Sequence, residues 1–322
     1  MRFLFVMDAH QSMHPEKDTS FAFMLAAQER GHSCFHCLVS QVGNEGQAVH
    51  CYARPITVGA SAPHVTVGAT TRHGIEEFDA VFIRKDPPFD SHYLHLTQQL
   101  DLIERRLFVM NSALGLRIAN EKLYAFHFAP FMPRSLVSSS TDELLEFVAR
   151  VGGRAVIKPL DGAGGAGVMG LEGNSRNSRG IIDYVTREGS QLALIQEFQP
   201  EVIEGDKRVL LLDGQLLGAI RRIPRADDIR ANIHVGGRVE ACDLTDQERA
   251  MIAQIGPRLV ADGLYFVGLD LIGGKLIEVN VTSPTGIQEL GRLTHSRPDL
   301  EVIRFVERRA TEREDHATAD RV

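Results

Sequence analysis

Cysteines, long apolar runs and an excess of basic residues are scarce or missing in this sequence, and each of these features argues against a class of protein. Its 322 residues include only four cysteines, and no apolar run is long enough to cross a membrane. Basic residues are not in excess, because 35 lysines and arginines against 42 aspartates and glutamates give a formal charge of −7. This balance argues against a general nucleic-acid-binding protein. The first apolar run, residues 2–7, is too short for a signal peptide, so we expect a cytoplasmic protein without membrane or nucleic-acid partners.

The few cysteines include one Cys-x-x-Cys pair, Cys34 and Cys37, with His32 and His36 interleaved. A metal or redox site is one interpretation. However, residues 33–39 are typical of a strand in an α/β unit, and no second ligand pair has zinc-like spacing. The sequence therefore favours structural cysteines, and we expect all four to be free thiols.

Strands and helices alternate in the first third of the chain. The pattern predicts strands at residues 2–7, 33–39, 80–84 and 107–110 and helices at residues 18–31 and 91–106. Such alternation indicates an α/β domain with a mostly parallel sheet, which we place at residues 1–119. From residue 120 the pattern becomes α+β. The charged tail, residues 311–322, lacks apolar periodicity and is predicted to be disordered.

A candidate metal site lies near the C-terminal end. Gly273-Gly274 predicts a tight turn, so the strand-like runs on either side of it form a hairpin. Glu278 and Asn280 then share one face of a strand, and Asp270 can lie beside them. Two carboxylates and an amide oxygen suit Mg²⁺. The alternative is a hairpin with a solvated acidic face.

A candidate phosphate site lies upstream, in Ala155-Val-Ile-Lys158-Pro-Leu-Asp-Gly162-Ala-Gly164-Gly165. An apolar strand delivers Lys158, and a glycine-rich turn follows at once. Glycines let backbone N–H groups approach phosphate oxygens, and the lysine adds a positive charge. By itself the segment is compatible with an ordinary glycine-rich turn, but a metal site downstream favours a nucleotide phosphate between the two.

Further charged residues are candidates for substrate contacts. Asp213-Gly214 predicts a hairpin that brings Arg208 near Arg222, although solvated strand ends would look the same. Two loops follow predicted parallel strands, where ligands of α/β sheets bind, and they contain Asp18, Ser20, Arg84 and Lys85. Capping and turn chemistry is the alternative for both loops. Residues 224–238, which contain Arg230, Asn232 and Gly236-Gly237, are polar and long, which predicts a mobile active-site loop.

Taken in order, these motifs resemble bacterial glutathione synthetase of the ATP-grasp superfamily. The resemblance runs from Met1 to about Leu290 and is carried by Arg84-Lys-Asp-Pro-Pro-Phe-Asp90, Asn120-Glu-Lys122, Lys158-Pro-Leu-Asp-Gly-Ala-Gly-Gly165, Gly205-Asp-Lys-Arg-Val209 and Glu278-Val-Asn-Val-Thr-Ser-Pro-Thr285. It implies an ATP-grasp central lid at residues 120–199 and a catalytic subdomain at residues 200–310. The loop at 227–233 departs from the family pattern, because the expected Gly-Glu pair is absent.

The resemblance also implies roles for individual residues. ATP would be bound by Lys122, Lys158, Gly162, Gly164, Gly165, Gln196, Glu197, Phe198 and Asp206, and the metal, Mg²⁺ or Mn²⁺, by Asp270, Glu278 and Asn280. Arg208 and Arg222 would be catalytic. Substrate contacts would come from Asp18, Ser20, Arg84, Lys85, Arg230, Asn232, Gly236, Gly237, Ser283, Pro284 and Thr285.

The implied reaction joins γ-glutamylcysteine to glycine with ATP through an acyl phosphate, in a homo-oligomer that is a dimer or tetramer. One alternative is an ATP-grasp ligase with another peptide donor or amine acceptor. A second is a nucleotide-binding regulator without activity, which the joint presence of Asp270, Glu278 and Asn280 with both arginines disfavours.

Overall fold

The computed structural model describes residues 1–173, 175–224 and 238–319, with side chains up to residue 313. The predicted mobile loop, including Arg230, Asn232, Gly236 and Gly237, therefore lies outside the described residues apart from its two ends. The last helix extends to Ala319. The prediction of a disordered tail is thus wrong for residues 311–319, because the helix that begins at Pro298 continues through the charged sequence.

The N-terminal region is built on a sheet whose central strands run parallel, as the alternation predicted. The parallel strands are β1 (Arg2–Met7), β2 (Ser33–Cys37), β7 (Ala80–Arg84) and β8 (Phe108–Met110).

An antiparallel extension of this sheet was not predicted. It consists of β3 (Val42–Glu45), β4 (Ala48–Val58), β5 (Val65–Val67) and β6 (Thr71–Gly74). The order of the whole sheet is β3-β4-β2-β1-β7-β8, with β5 and β6 also paired to β4. Helices of this region are α1 (Thr19–Glu29), α2 (Ser91–Asp101) and α3 (Ala113–Ile118).

Two antiparallel sheets form the rest of the described chain. One has the order β11-β10-β12-β9, made of β9 (Ser135–Ser138), β10 (Arg154–Pro159), β11 (Met169–Glu172) and β12 (Ala193–Glu197), with helices α4 (Thr141–Arg150) and α5 (Ser178–Thr186). The other has the order β15-β14-β13-β16-β17, made of β13 (Asp206–Leu212), β14 (Gln215–Ile223), β15 (Arg238–Ala241), β16 (Phe266–Ile272) and β17 (Lys275–Asn280). Helices α6 (Asp246–Ala261), α7 (Ile287–Thr294) and α8 (Pro298–Ala319) follow or flank this sheet.

One buried side chain joins the N-terminal sheet to the last one. Asn111, directly after β8, donates to the carbonyl oxygens of Phe266 and Val281, both at 2.8 Å. Its own amide oxygen accepts from the backbone N–H groups of Tyr265 and Phe266. All hydrogen-bonding groups of this amide are thereby used in a dry environment, which sets the position of β16 and of the end of β17 against the parallel sheet. None of the helices in the described part of the chain combines the length and apolar character that crossing a membrane requires.

The cysteines are free, and the Cys-x-x-Cys pair does not form a joint site. Cys34 packs in the core layer that contains Phe3 and Phe5, whereas Cys37 packs with Cys51 in the core layer on the other side of the sheet. Residues three apart on a strand point to opposite faces. The preference for structural cysteines over a metal site is consistent with this arrangement.

Burial also predicts low reactivity for these thiols. Desolvation raises the pKa of Cys34 to about 12, and the pKa of Cys37 is also raised, by its hydrogen bond with Cys51 and by burial. Burial raises the pKa of Cys242 as well, but its side chain is only half-buried, so at pH 8 iodoacetamide should modify Cys242 in the native protein and spare the buried three. Mass spectrometry of native and urea-unfolded samples checks this. Alkylation of Cys34 as fast as Cys242 in the native protein would contradict it.

Candidate functional site

The candidate site consists of two neighbouring clefts. The first, here called the loop cleft, lies between the two antiparallel sheets and is lined by Lys122, Lys158, Phe198 and Asp270 together with the glycine-rich turn at residues 162–166. The second, here called the turn cleft, is lined by residues of the N-terminal loops and of the turn after β17. Glu278 and Gly164 line both clefts, so a ligand in one is adjacent to a ligand in the other.

Lys158 is a buried cation in the wall of the loop cleft. Strand β10 carries it between apolar neighbours, and it is 9% exposed. Its Nζ donates to Gln196 Oε1 at 2.7 Å, and no carboxylate of the described residues lies within ion-pair distance. Burial lowers the pKa of Lys158 against the opposing effect of the Glu278 charge. A buried ammonium that lacks a counter-charge favours an anion in the cleft.

The glycine-rich turn stands over the same cleft. Gly164 and Gly165 adopt positive φ angles of 60° and 83°, which L side chains rarely adopt. At Gly162 a Cβ would lie 2.8 Å from the carbonyl oxygen of Ala166, so the close return of the chain requires glycine. Lys122 holds the turn in place, since its Nζ donates to the Gly162 carbonyl and also lies 3.0 Å from Glu278 Oε1.

Gln196, Glu197 and Phe198, which the resemblance assigns to ATP binding, lie at and just after the end of β12 and have side chains in different environments. The side chain of Gln196 is used internally, by Lys158 and by Ser135 Oγ. Glu197 points to the other face, where Arg134 binds its carboxylate at 3.0 Å. Phe198 follows the strand, and the guanidinium of Arg154 lies 4.0 Å from its ring centroid. All three residues line the loop cleft. Because the side chains of Gln196 and Glu197 are engaged by other residues, this segment offers its backbone and the Phe198 ring to a ligand in the cleft.

The predicted metal ligands lie together at the junction of the clefts. Asp270 is directly opposite Glu278 in the ladder between β16 and β17, and Gly268 is opposite Asn280. Asn280 donates its amide nitrogen to the Gly268 carbonyl at 3.1 Å, so its oxygen remains available as a ligand. Glu278 and Asn280 thus offer oxygen ligands that fit a hard cation such as Mg²⁺, whereas both oxygens of Asp270 are engaged by Arg208 and Arg222. Among the described residues no group of three or more His, Cys, Asp or Glu is arranged to hold a metal ion.

Arg208 and Arg222 converge as predicted, and both bind Asp270. Arg208 Nε lies 2.6 Å from one oxygen of Asp270, and Arg222 lies 2.9 Å from the other. Arg222 also makes a bidentate pair with Asp206, at 2.6 Å on both oxygens. Burial alone would raise the pKa of Asp270, but the charges and hydrogen bonds of the two arginines outweigh it and lower that pKa. Burial raises the pKa of Asp206, against the opposing effect of Arg222.

The turn cleft contains a second buried cation, Arg84. It is 4% exposed and donates to Ser20 Oγ at 3.2 Å and to the Pro284 carbonyl at 3.1 Å. Its guanidinium also lies near the rings of Phe23 and Phe266, and no described carboxylate is within ion-pair distance. A guanidinium held rigidly in this way is suited to bind a carboxylate of a ligand.

The remaining predicted substrate residues have mixed positions. Asp18 caps α1 by accepting from the Ser20 and Phe21 N–H groups, and it still lines the turn cleft. Lys85 lies outside the lining, paired with Asp8 at 3.1 Å. The turn residues Ser283, Pro284 and Thr285 line the cleft, and Thr285 accepts from Arg208 through its carbonyl.

Some lining residues were not identified from the sequence, and the most notable is Glu121. It lines the turn cleft, and both burial and the charge of Glu278 raise its pKa. The motif Asn120-Glu-Lys122 already contained it, but its function was assigned to the lysine alone. Asp8, His14, Lys17 and Asp86 also line this cleft. Lys17 and Asp86 belong to the two loops expected to contact a substrate, but neither was assigned a role, and no sequence pattern distinguished Asp8 and His14 from ordinary loop residues.

A glycine-rich turn facing a carboxylate-bearing hairpin, with a cleft between two antiparallel sheets, is the arrangement of the ATP-grasp fold. The whole-chain fold supports this class. D-cycloserine synthetase DcsG superposes with a TM-score of 0.66 at 15% identity, covering 96% of this chain and 99% of that one. The ATP-grasp ligase PsnB superposes with a TM-score of 0.61 at 15% identity, covering 96% and 98%. At these identities the likeness concerns the fold.

Sequence comparison defines the family within this class. The model of the prokaryotic glutathione synthetase N-terminal domain matches residues 1–117, and that of the ATP-grasp domain of the same family matches residues 121–295. The glutathione synthetase of Gloeobacter violaceus is 43% identical over 297 residues, covering 90% of this chain and 91% of that protein. That of Thermosynechococcus vestitus is 40% identical over 318 residues, covering 95% and 99%. The chain belongs to the prokaryotic glutathione synthetase family, whose ligases use ATP.

Proposed function

We propose that this chain joins γ-glutamylcysteine to glycine, with ATP bound in the loop cleft and the peptide in the turn cleft. The observation that carries the proposal is the pair of buried cations without carboxylate partners among the described residues. Lys158 lies in one cleft and Arg84 in the other, and the clefts meet at Glu278. Phosphate oxygens would complete the first environment, and a carboxylate of the dipeptide would complete the second.

The chemistry requires activation of the dipeptide, because a carboxylate has no good leaving group. One oxygen of the cysteinyl carboxylate attacks the γ-phosphorus of ATP, which releases ADP and gives an acyl phosphate. The glycine amine then attacks the carbonyl carbon, loses a proton, and the C–O bond to phosphate breaks. Both steps occur between the two clefts, where donor carboxylate and γ-phosphate are adjacent.

The residues of the junction have distinct roles in this proposal. Asp270, Glu278 and Asn280 would hold Mg²⁺ or Mn²⁺, which when bound supplies charge neutralisation at the phosphates. Arg208 and Arg222, fixed on Asp270, would stabilise the negative charge on the transferring phosphoryl group and on the tetrahedral oxygen. Lys122, Lys158 and the glycine turn would bind the phosphates, and Phe198 with the neighbouring backbone would contact the base.

We also propose domain boundaries near residues 119 and 199, because each of the three sheets would then supply a different part of the site. The proposed peptide-binding loops adjoin the N-terminal sheet, the glycine turn adjoins the sheet of β9–β12, and the proposed metal ligands lie on the sheet of β13–β17. Each substrate would thus contact more than one sheet. The homo-oligomeric state stays a prediction from the family.

Release of ADP should require γ-glutamylcysteine, glycine and a divalent cation together, because each completes a different part of the junction. A coupled ADP assay with each component omitted in turn measures this, and mass spectrometry of the product identifies the tripeptide. A panel of other dipeptides and amines tests the alternative of a different substrate. Full turnover with an unrelated dipeptide and none with γ-glutamylcysteine would rule out the proposed reaction.

A further inference from the structure

Glu121 makes an unusual set of contacts with the segment that follows β17. A single carboxylate oxygen, Oε1, accepts three hydrogen bonds: from Val281 N at 2.9 Å, from Thr282 N at 3.0 Å and from Thr282 Oγ1 at 2.9 Å. The Glu121 backbone carbonyl accepts a fourth, from Val279 N at 3.0 Å. The residue thus holds three positions of this segment, Val279, Val281 and Thr282, and none of these contacts reaches a proposed substrate.

The held segment connects the two halves of the junction. On its N-terminal side lie Glu278 and Asn280, the proposed metal ligands of β17. On its C-terminal side lies the turn at residues 283–285, whose carbonyls accept from Arg84 and Arg208. A displacement of Val281 and Thr282 would therefore move the metal ligands relative to both arginines.

The position of Glu121 in the chain strengthens this connection. The next residue, Lys122, contacts Glu278 at 3.0 Å and the glycine turn through the Gly162 carbonyl. The preceding residue, Asn120, accepts from the N–H groups of Lys122 and Leu123 through its side chain. Residues 120–122 thus fix β17, the glycine-rich turn and the turn at residues 283–285 relative to one another.

We propose that Glu121 is a positioning residue for the ligation: by holding Val281 and Thr282 it sets the geometry of Glu278 and Asn280 at the junction of the clefts. This inference rests on the proposed function, because it concerns the proposed metal ligands. Residues that orient metal ligands typically change metal affinity or activity by about 10–100-fold when they are removed.

The test compares Glu121→Ala, Glu121→Gln and Thr282→Val with a control, Glu248→Ala. Glu248 is also a buried glutamate that accepts hydrogen bonds, from Lys207 and from Thr245 N, so its loss should affect stability alone. The measurements are Mn²⁺ affinity by electron paramagnetic resonance with a non-hydrolysable ATP analogue, kcat, KM for ATP, and Tm.

We expect Glu121→Ala to weaken Mn²⁺ binding about tenfold and to lower kcat about 30-fold, with KM for ATP within about threefold of wild type. Glu121→Gln should restore most of both, because its amide oxygen accepts the same hydrogen bonds. Thr282→Val removes one of the three bonds and should weaken Mn²⁺ binding by about threefold, which keeps the test valid even when the alanine variant does not fold.

Two results would overturn the inference. The first is wild-type Mn²⁺ affinity and kcat in a folded Glu121→Ala protein whose Tm falls like that of Glu248→Ala. The second is a Glu121→Gln protein as impaired as Glu121→Ala, since hydrogen bonding would then not be the cause. Absence of nucleotide-dependent Mn²⁺ binding in the wild type would instead count against the proposed function itself.

Discussion

Glu278→Ala is expected to lower kcat by about a thousandfold or more while leaving the protein folded. The side chain is half-buried at the junction, and its contact among the described residues is the ion pair with Lys122. Loss of a metal carboxylate removes several kcal/mol of transition-state stabilisation, and about 4 kcal/mol corresponds to three tenfold steps in rate. Steady-state ADP release and circular dichroism spectra measure the two effects.

Glu240→Ala is the matched control for this variant. Glu240 lies on β15 of the same sheet and pairs with Arg221 and Arg238, away from the two clefts. Its loss should change kcat by less than about twofold, because surface ion pairs contribute little. Near-normal activity in a folded Glu278→Ala protein would show that Glu278 belongs to a solvated acidic face, which was the alternative left open by the sequence.

The second large effect that we expect is a loss of folding stability in the variant Asp270→Asn. Arg208 and Arg222 both direct their guanidinium groups at this carboxylate, and all three side chains are at most 8% exposed. Removing one partner of a buried ion pair leaves uncompensated charge and typically costs about 3–5 kcal/mol. Urea unfolding at pH 7 should show a loss of this size, together with loss of turnover.

The pH dependence of this effect follows from the lowered pKa of Asp270 in the native protein. A carboxylate with a native pKa below its unfolded value of about 3.9 contributes stability that is fully present above that pH. The contribution is lost as the pH falls toward the native pKa, so the difference between wild type and Asp270→Asn should shrink between about pH 4 and pH 2.

Asp262→Asn provides the comparison for the buried variant. Asp262 pairs with the half-exposed Arg258 and accepts from Tyr124 Oη, which an asparagine oxygen can also do. We expect a loss below about 1 kcal/mol. Equal losses in Asp262→Asn and Asp270→Asn would mean that the two arginines do not depend on Asp270 for their charge balance.

Local sequence determined the elements that bear the site. Asp213-Gly214 and Gly273-Gly274 all have positive φ angles, so the two hairpins follow from the turn residues themselves. Alternation along β17 then places Glu278 and Asn280 on one face. At α6 the residues Thr245 and Glu248 form a capping box, in which each side chain accepts from the other residue's backbone N–H group. In each case the contacts lie within a few residues, so short-range pattern suffices.

Tertiary structure alone decided what those elements contact. That Arg84 is buried against Pro284, and that Glu121 holds Val281 and Thr282, depends on residues 160–200 positions apart, for which a single sequence carries no signal. The antiparallel strands β3–β6 were missed because they are stabilised by pairing along β4. The charged segment after Ala310 continues a helix that is already packed through Val302, Phe305 and Val306. Adding a residue to a helix that already exists costs little free energy, because each added residue gains a backbone hydrogen bond. The prediction of disorder from composition alone was therefore wrong there.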